Sequence, residues 1–165
     1  MFVVISLVGF LAVLLGTAVF ALLLICIVRT VISSGGPDWE RFRSGTTPDP
    51  LPDGLWKGST DRVVQGSWIG KRFIRASHGG INRFTTPHGD EERYPFATSI
   101  EPALRDPGKH VLRLNYGIAG NPWWLHLIVD EVVSVPGGEL FGKVHIVLSS
   151  SVIFTMGYFS LKHAE

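Results

Sequence analysis

The chain has 165 residues, 45% of them hydrophobic, with 15 Lys and Arg against 14 Asp and Glu and a formal charge of +1. Such a balance offers no basic face to a phosphate backbone and no polybasic clamp to anionic lipid, which excludes nucleic acid as a partner. The only cysteine, Cys26, rules out an internal disulfide.

Residues 1–28 carry no charge and no proline, and only Ser6, Thr17 and Cys26 are mildly polar. As a helix this run would measure roughly 42 Å against a hydrocarbon core of about 30 Å. Residues 1–31 therefore read as a transmembrane anchor in the lipid bilayer. A cleavable leader would need a basic start and a shorter apolar run. Arg29, Arg41 and Arg43 follow the helix, which places the N-terminus outside and the C-terminal domain in the cytoplasm. Gly9, Ala12 and Gly16, continued by Thr17 and Ala21, form a track of small residues on one face. Such a track lets helices approach closely and suits docking against other integral membrane proteins.

Residues 32–53 read as a Pro/Gly-rich linker, with Pro37, Pro48, Pro50 and Pro52 denying it regular hydrogen bonding. Within it, Trp39 and Phe42 stand among Arg41 and Arg43. They form either a short turn at the membrane interface or a segment packed on the following domain.

Residues 54–165, roughly 110 in number and enough for one core, carry strand signals. Apolar runs at 55–58, 68–75, 81–85, 94–100, 110–116, 127–135, 140–148 and 152–161 are separated by turn sequences such as His78-Gly79-Gly80 and Pro136-Gly137-Gly138. The fifth run alternates, with Leu112, Leu114 and Tyr116 on one face and Arg113 and Asn115 on the other. Seven or eight short strands with tight turns predict an all-β antiparallel barrel or sandwich, and closure into a barrel would remove the exposed edges. By alternation, Arg72 shares the inward face with Trp68 and Gly70 and requires an acidic partner, for which Asp130, Glu131 and Glu101 are the candidates. Gly70 leaves room for the indole or marks a bend.

No nucleophile elbow, phosphate loop, dinucleotide fingerprint or zinc spacing is present, so no catalytic residue, metal or cofactor is assigned. Asp130 and Glu131 are neighbours on a strand and face opposite sides. Trp123-Trp124 is the most conspicuous aromatic pair; one ring fits the core, and the other a lid or a partner contact.

Gly66-Ser67-Trp68-Ile69-Gly70 resembles the G-x-W-x-G opening strand of calycin (lipocalin-like) barrels. The longer pattern, from Trp68-Ile69-Gly70-Lys71-Arg72-Phe73 through Asn82-Arg83-Phe84 and Asn121-Pro122-Trp123-Trp124 to Gly142-Lys143, is similar to uncharacterised bacterial proteins. The resemblance implies a Trp68 that plugs one barrel end beneath a basic side chain of the last strand, here Lys162. It also implies a ligand pocket drawn from Trp68, Arg72, Phe84, Leu112, Leu114 and Tyr116, and a bacterial inner-membrane location. Three functions stay open. The first is a non-catalytic accessory subunit, docked through Gly9, Ala12 and Gly16, with Trp123 and Trp124 as further contacts. The second is a tethered module for a lipid-like or other apolar small molecule. The third is a barrel enzyme or haem binder.

Overall fold

A computed structural model describes residues 2–60 and 67–164, with side chains from Leu7 onward. Gly66, the first glycine of the G-x-W-x-G pattern, lies outside the described residues. Helix α1 (Phe2–Ile32) is a single apolar rod whose segment Leu7–Ile32 is long and apolar enough to cross a membrane. Its side chains stand exposed along most of its length; Cys26, Thr30 and Ser33, near its C-terminal end, are buried.

The later residues form eight strands: β1 (Gly54–Ser59), β2 (Trp68–Ile74), β3 (Gly79–Thr86), β4 (Gly89–Pro102), β5 (His110–Asn115), β6 (Ile128–Val135), β7 (Glu139–Val147) and β8 (Ile153–His163). Each pairs antiparallel with the next, and β8 returns to β1 from Trp56↔His163 to Ser59↔Ser160, closing the barrel. Closure removes the free edges that a sheet of short apolar strands would otherwise present. The alternation read in β5 holds: Leu112, Leu114 and Tyr116 point inward, beside Phe73, Phe96, Val132, Leu140, Phe159 and Leu161.

The outer wall of β6 and β7 is apolar too, and a second helix covers it. Helix α2 (Gly36–Ser44) starts with Pro37 in its first turn and ends against Gly45. Its Phe42 is 0% exposed, packed with Val111, Val133, Val135 and Phe141. A Cβ on Gly45 would stand 2.5 Å from Val133 Cγ2, so only glycine brings the chain this close to β6. Thr46 then pairs with Ser134 through N–H···O bonds of 2.9 and 2.7 Å. Of the two residues, Phe42 packs on the domain, while Trp39 stays half-exposed beneath the Arg43 guanidinium. Residues 32–53 are a wall element as well as a connection.

Several buried polar groups on this outer face are paired, as low-dielectric surroundings favour. The Lys143 ammonium bonds Asp106 and sits 4.2 Å from the Phe42 ring centroid. Glu131 accepts from the Leu104 N–H at 2.5 Å, and its second carboxylate oxygen lies 3.1 Å from His145 Nε2, whose ring partner Nδ1 lies 3.2 Å from the Thr155 hydroxyl.

Two bonds fix α1 to β8. The Thr155 N–H donates to Thr30 Oγ1 at 2.9 Å, and the Tyr158 hydroxyl donates to the Ser33 carbonyl at 2.5 Å. The direction matters. Going from Ser33 back to Thr30, α1 moves from Tyr158 toward Thr155 and so toward the β7–β8 hairpin at Leu148–Val152. Continued toward Phe2, the helix leaves the barrel past that hairpin. It departs from the end where β1, β3, β5 and β7 finish and β2, β4, β6 and β8 begin.

Two irregularities set which side chains enter. Register slips between Trp68 and Gly70, and Gly70 takes φ 137° so close to β1 that an added Cβ would stand 2.0 Å from the Trp56 carbonyl oxygen. This bulge reverses the alternation. Lys71 turns inward and is 2% exposed, while Arg72 turns out and bonds Glu92 at 2.7 Å. The inward position expected for Arg72 is thus corrected: Lys71 occupies it, with Asp130 as its partner. The second slip, between Ile81 and Asn82, leaves Tyr94 as an extra residue at φ 61°.

Candidate functional site

The barrel interior is solid at one end and hollow at the other. A cavity of about 280 Å³ opens at the end from which α1 departs. Trp68, Phe84, Tyr94, Leu125, Ile128, Val144 and Phe159 line it, with Lys71, Asn82, Tyr116 and Asp130 among them. Two larger hollows, of about 450 and 440 Å³, are more polar: one lies at the α1–α2 corner, and the other between residues 48–54 and Trp56, Leu140 and His163, at the opposite end of the barrel. The interior cavity combines apolar walls with a few converging polar groups, the usual constitution of a small-molecule site.

Those polar groups form one connected set. Lys71 Nζ donates to Asn82 Oδ1 at 2.8 Å, to Tyr116 Oη at 2.6 Å and to Asp130 Oδ2 at 2.9 Å. An ammonium has three donors, and all three are used. Tyr116 donates its own proton to Asp130 Oδ2 at 2.8 Å. Asn82 Oδ1 also accepts from the Trp68 indole at 3.1 Å, while its amide donates to the Tyr94 carbonyl at 3.0 Å and to Tyr116 Oη at 3.2 Å. Asp130 Oδ1 has no hydrogen-bond donor among the described residues. Rings surround the ammonium, with centroids of Phe96, Phe159, Tyr116 and Trp68 at 5.2, 5.2, 5.3 and 5.6 Å.

Burial holds the Lys71 pKa below the ordinary lysine value, and the Asp130 carboxylate only partly offsets this. The same burial, reinforced by the Asp130 charge, raises Tyr116 well above the ordinary phenol value. Tyr158, outside the barrel under α2, is raised by its burial and then by Asp106. Between its lowered pKa and about 10.5, Lys71 binds fewer protons folded than unfolded, so its contribution to stability rises with pH. Above about 10 the unfolded chain ionises tyrosines that the fold keeps protonated, so that contribution falls. Past about 10.5 only the tyrosine effect remains. The unfolding free energy from urea titration should therefore decline steeply there, by up to about 1.4 kcal/mol per pH unit for each tyrosine. Tyr116→Phe and Tyr158→Phe should each flatten the slope, and an unchanged slope in both would contradict this assignment.

Trp68, Phe84 and Tyr116, expected as pocket residues, line this cavity; Leu112 and Leu114 lie in the solid core, and Arg72 is outside. Trp68 stacks edge-on to Phe159 at 5.7 Å, and its six-membered ring fills the space that a Cβ on Gly58 would need. The basic group beside it is Lys71, whereas Lys162, expected to cover it, is 70% exposed and bonds Glu139 at 2.9 Å. Sequence reasoning missed Lys71, Asn82, Tyr94 and Asp130 as a unit. Tyr94 is the most telling of them. Its left-handed backbone is uncommon in a residue with a Cβ, and such conformations concentrate at functional sites. Its ring meets Phe84 at 5.6 Å and Trp124 at 6.0 Å, so the bulge lines the mouth with aromatic surface. Trp123 and Trp124, in a short turn of helix at Trp123–Leu127, stand at this same end, 77% and 46% exposed. On α1, a Cβ added to Gly9 or Gly16 would meet nothing within 4 Å, and Ala12 between them is exposed, so that face is open.

No protein-family model matches the chain, and neither the curated proteins nor the solved structures contain a match to it.

Proposed function

We propose that the protein is a single-pass membrane protein whose barrel binds a small apolar molecule. The observation that carries this reading is the open cavity itself, with apolar walls above a hydrogen-bonded set of lysine, aspartate and tyrosine. An eight-stranded closed barrel has room inside for side chains or for one small ligand, as in lipocalins. Here side chains fill one end and leave the other vacant. Buried polar sets of this kind cost stability relative to an apolar core, and their presence at a cavity floor fits orientation of a guest. The exposed apolar surface of α1 supports its role as the anchor, and Arg29, Arg41 and Arg43 favour the cytoplasmic side of a bacterial inner membrane.

The test is native mass spectrometry of the full chain released from detergent micelles. A stoichiometric adduct extractable into organic solvent is expected. Val144→Trp, which fills the cavity, should abolish it while leaving the thermal midpoint within a few degrees. Wild-type protein without an adduct, or an adduct that survives in Val144→Trp, would overturn the reading.

A second reading, the accessory subunit, draws on the open Gly9, Ala12 and Gly16 face. Under it, a larger membrane protein packs on α1 and the barrel caps that assembly. Stoichiometric co-purification of another integral membrane protein, lost on Gly9→Leu/Gly16→Leu, is the result it requires.

A further inference from the structure

The cavity is small for a whole lipid, and its position says what becomes of the rest. At about 30 Å³ for a water-sized group, 280 Å³ accommodates roughly nine such groups. A chain longer than that must project through the mouth. In water a projecting tail would forfeit its burial. The mouth, however, lies at the end from which α1 leaves the barrel, and Thr30 and Ser33 are bonded to β8 there. A helix that spans a bilayer from this point holds the mouth at the bilayer surface. The rim has the composition such a position needs. Trp123 and Trp124 are 77% and 46% exposed, and Leu148 and Val152, flanking the β7–β8 hairpin, are 51% and 41% exposed. Tryptophan is enriched at the headgroup level, whereas on a surface bathed only by water four large apolar side chains are a liability.

The floor constrains the head of the guest. All three Lys71 donors are engaged, and its charge is matched by Asp130. A carboxylate or phosphate placed there would find no free donor on Lys71 and would lie against the Asp130 carboxylate. Asp130 Oδ1 can accept one more hydrogen bond. The complementary head is uncharged and donates a hydrogen bond, as an alcohol does.

Building on the ligand-binding reading above, we propose that the cavity takes the head end of an uncharged lipid alcohol straight from the bilayer. The lipid enters through the rim of Trp123, Trp124, Leu148 and Val152, and its chain stays in the membrane. The lipid keeps its natural orientation, head toward the surface and tail toward the core, and merely rises by the depth of the cavity.

The experiment uses the full chain in phosphatidylcholine nanodiscs carrying a trace of a long-chain alcohol with a photoreactive diazirine near the head. The matching fatty acid serves as a second probe. Cross-links mapped by peptide mass spectrometry are expected at Trp68, Tyr94 or Tyr116 with the alcohol, and at least about tenfold fewer with the acid. The rim variant Trp123→Ser/Leu148→Ser/Val152→Ser should lose about tenfold of the labelling in nanodiscs but none in detergent micelles, where no bilayer surface needs to be reached. Equal labelling by acid and alcohol would overturn the head chemistry. Rim substitutions without effect in nanodiscs would overturn the membrane route, and in either case labelling inside the barrel would leave the ligand-binding reading intact. Failure of both probes to label the cavity in either medium, together with no native adduct, would sink that reading too, and the inference with it.

Discussion

Asp130→Ala is expected to lower the unfolding free energy by about 3–5 kcal/mol, the usual cost of leaving a buried charge without its partner. Asp130 Oδ2 receives both Lys71 at 2.9 Å and the Tyr116 hydroxyl at 2.8 Å, and the two ion-pair side chains are 3% and 5% exposed. Its removal strands an ammonium among aromatic rings, where cation–π attraction recovers only a small part of the lost solvation. The variant's Lys71 should then shed its proton more readily. Its stability deficit should consequently shrink as the pH rises toward 10. The decisive comparison is the double variant Lys71→Met/Asp130→Leu. With both charges gone, no buried charge is left uncompensated; only the Tyr116 hydroxyl loses its acceptor, and much of the lost stability should return. Urea denaturation of the full chain in detergent, followed by tryptophan fluorescence, measures all three proteins. A double variant as unstable as Asp130→Ala would show that packing at this site, and not charge pairing, dominates. The same double variant should lose the preference for an alcohol head, because the acceptor that defines it is gone.

The second large effect is expected at Gly70. Gly70→Ala places a Cβ 2.0 Å from the Trp56 carbonyl oxygen and 2.8 Å from the Gly58 nitrogen, in a backbone with φ 137°. Both obstacles are main chain, so neither yields by a side-chain rotation. A loss of about 3 kcal/mol or more is expected, through strain at a conformation that only glycine adopts readily. A chain that escapes the strain by straightening the bulge would slip β2 by one residue and exchange the faces of Lys71 and Arg72. Either result removes the floor of the cavity. Thermal unfolding reports the first outcome. Loss of the alkaline behaviour assigned to Tyr116, with the fold retained, reports the second. Gly89→Ala is the control, since its φ is 114° but nothing lies within 4 Å of the added carbon. It should cost less than Gly70→Ala by the clash alone.

These two positions also show how much is legible in the sequence. Clean alternation in β5 places Leu112, Leu114 and Tyr116 inside, because period-two patterning reads directly as a face. The eight apolar runs correspond to the eight strands because turn sequences separate them. The bulge at Gly70 is not legible as a reversal. Glycine between Ile69 and Lys71 is compatible with a regular strand, a corner or a bulge, and only the approach of the Trp56 carbonyl selects among them. Everything downstream of that choice, the exclusion of Arg72 and the inclusion of Lys71, depends on it and inverts with it. The outer cover does carry a signal. Val132 and Val133 are adjacent in β6, and Leu140 and Phe141 in β7, yet all four are buried. Consecutive apolar residues in a strand mean that both faces are covered, which requires an element such as α2 outside the barrel. The cluster of Lys71, Asn82, Tyr116 and Asp130 draws on β2, β3, the end of β5 and β6, and has no local spacing by which to find it.

Helix α2 has a consequence for how this molecule can be divided. Excising the barrel at Gly54, as a boundary drawn from prolines would suggest, strips away Phe42 and with it the roof over Val133, Phe141 and the Lys143–Asp106 pair. It also deletes Thr30, the acceptor for the Thr155 N–H, and Thr46, the partner of Ser134. The fragment would present a wet, sticky flank where the whole chain has a sealed one. A fragment that keeps these contacts has to begin within the apolar rod, upstream of Thr30.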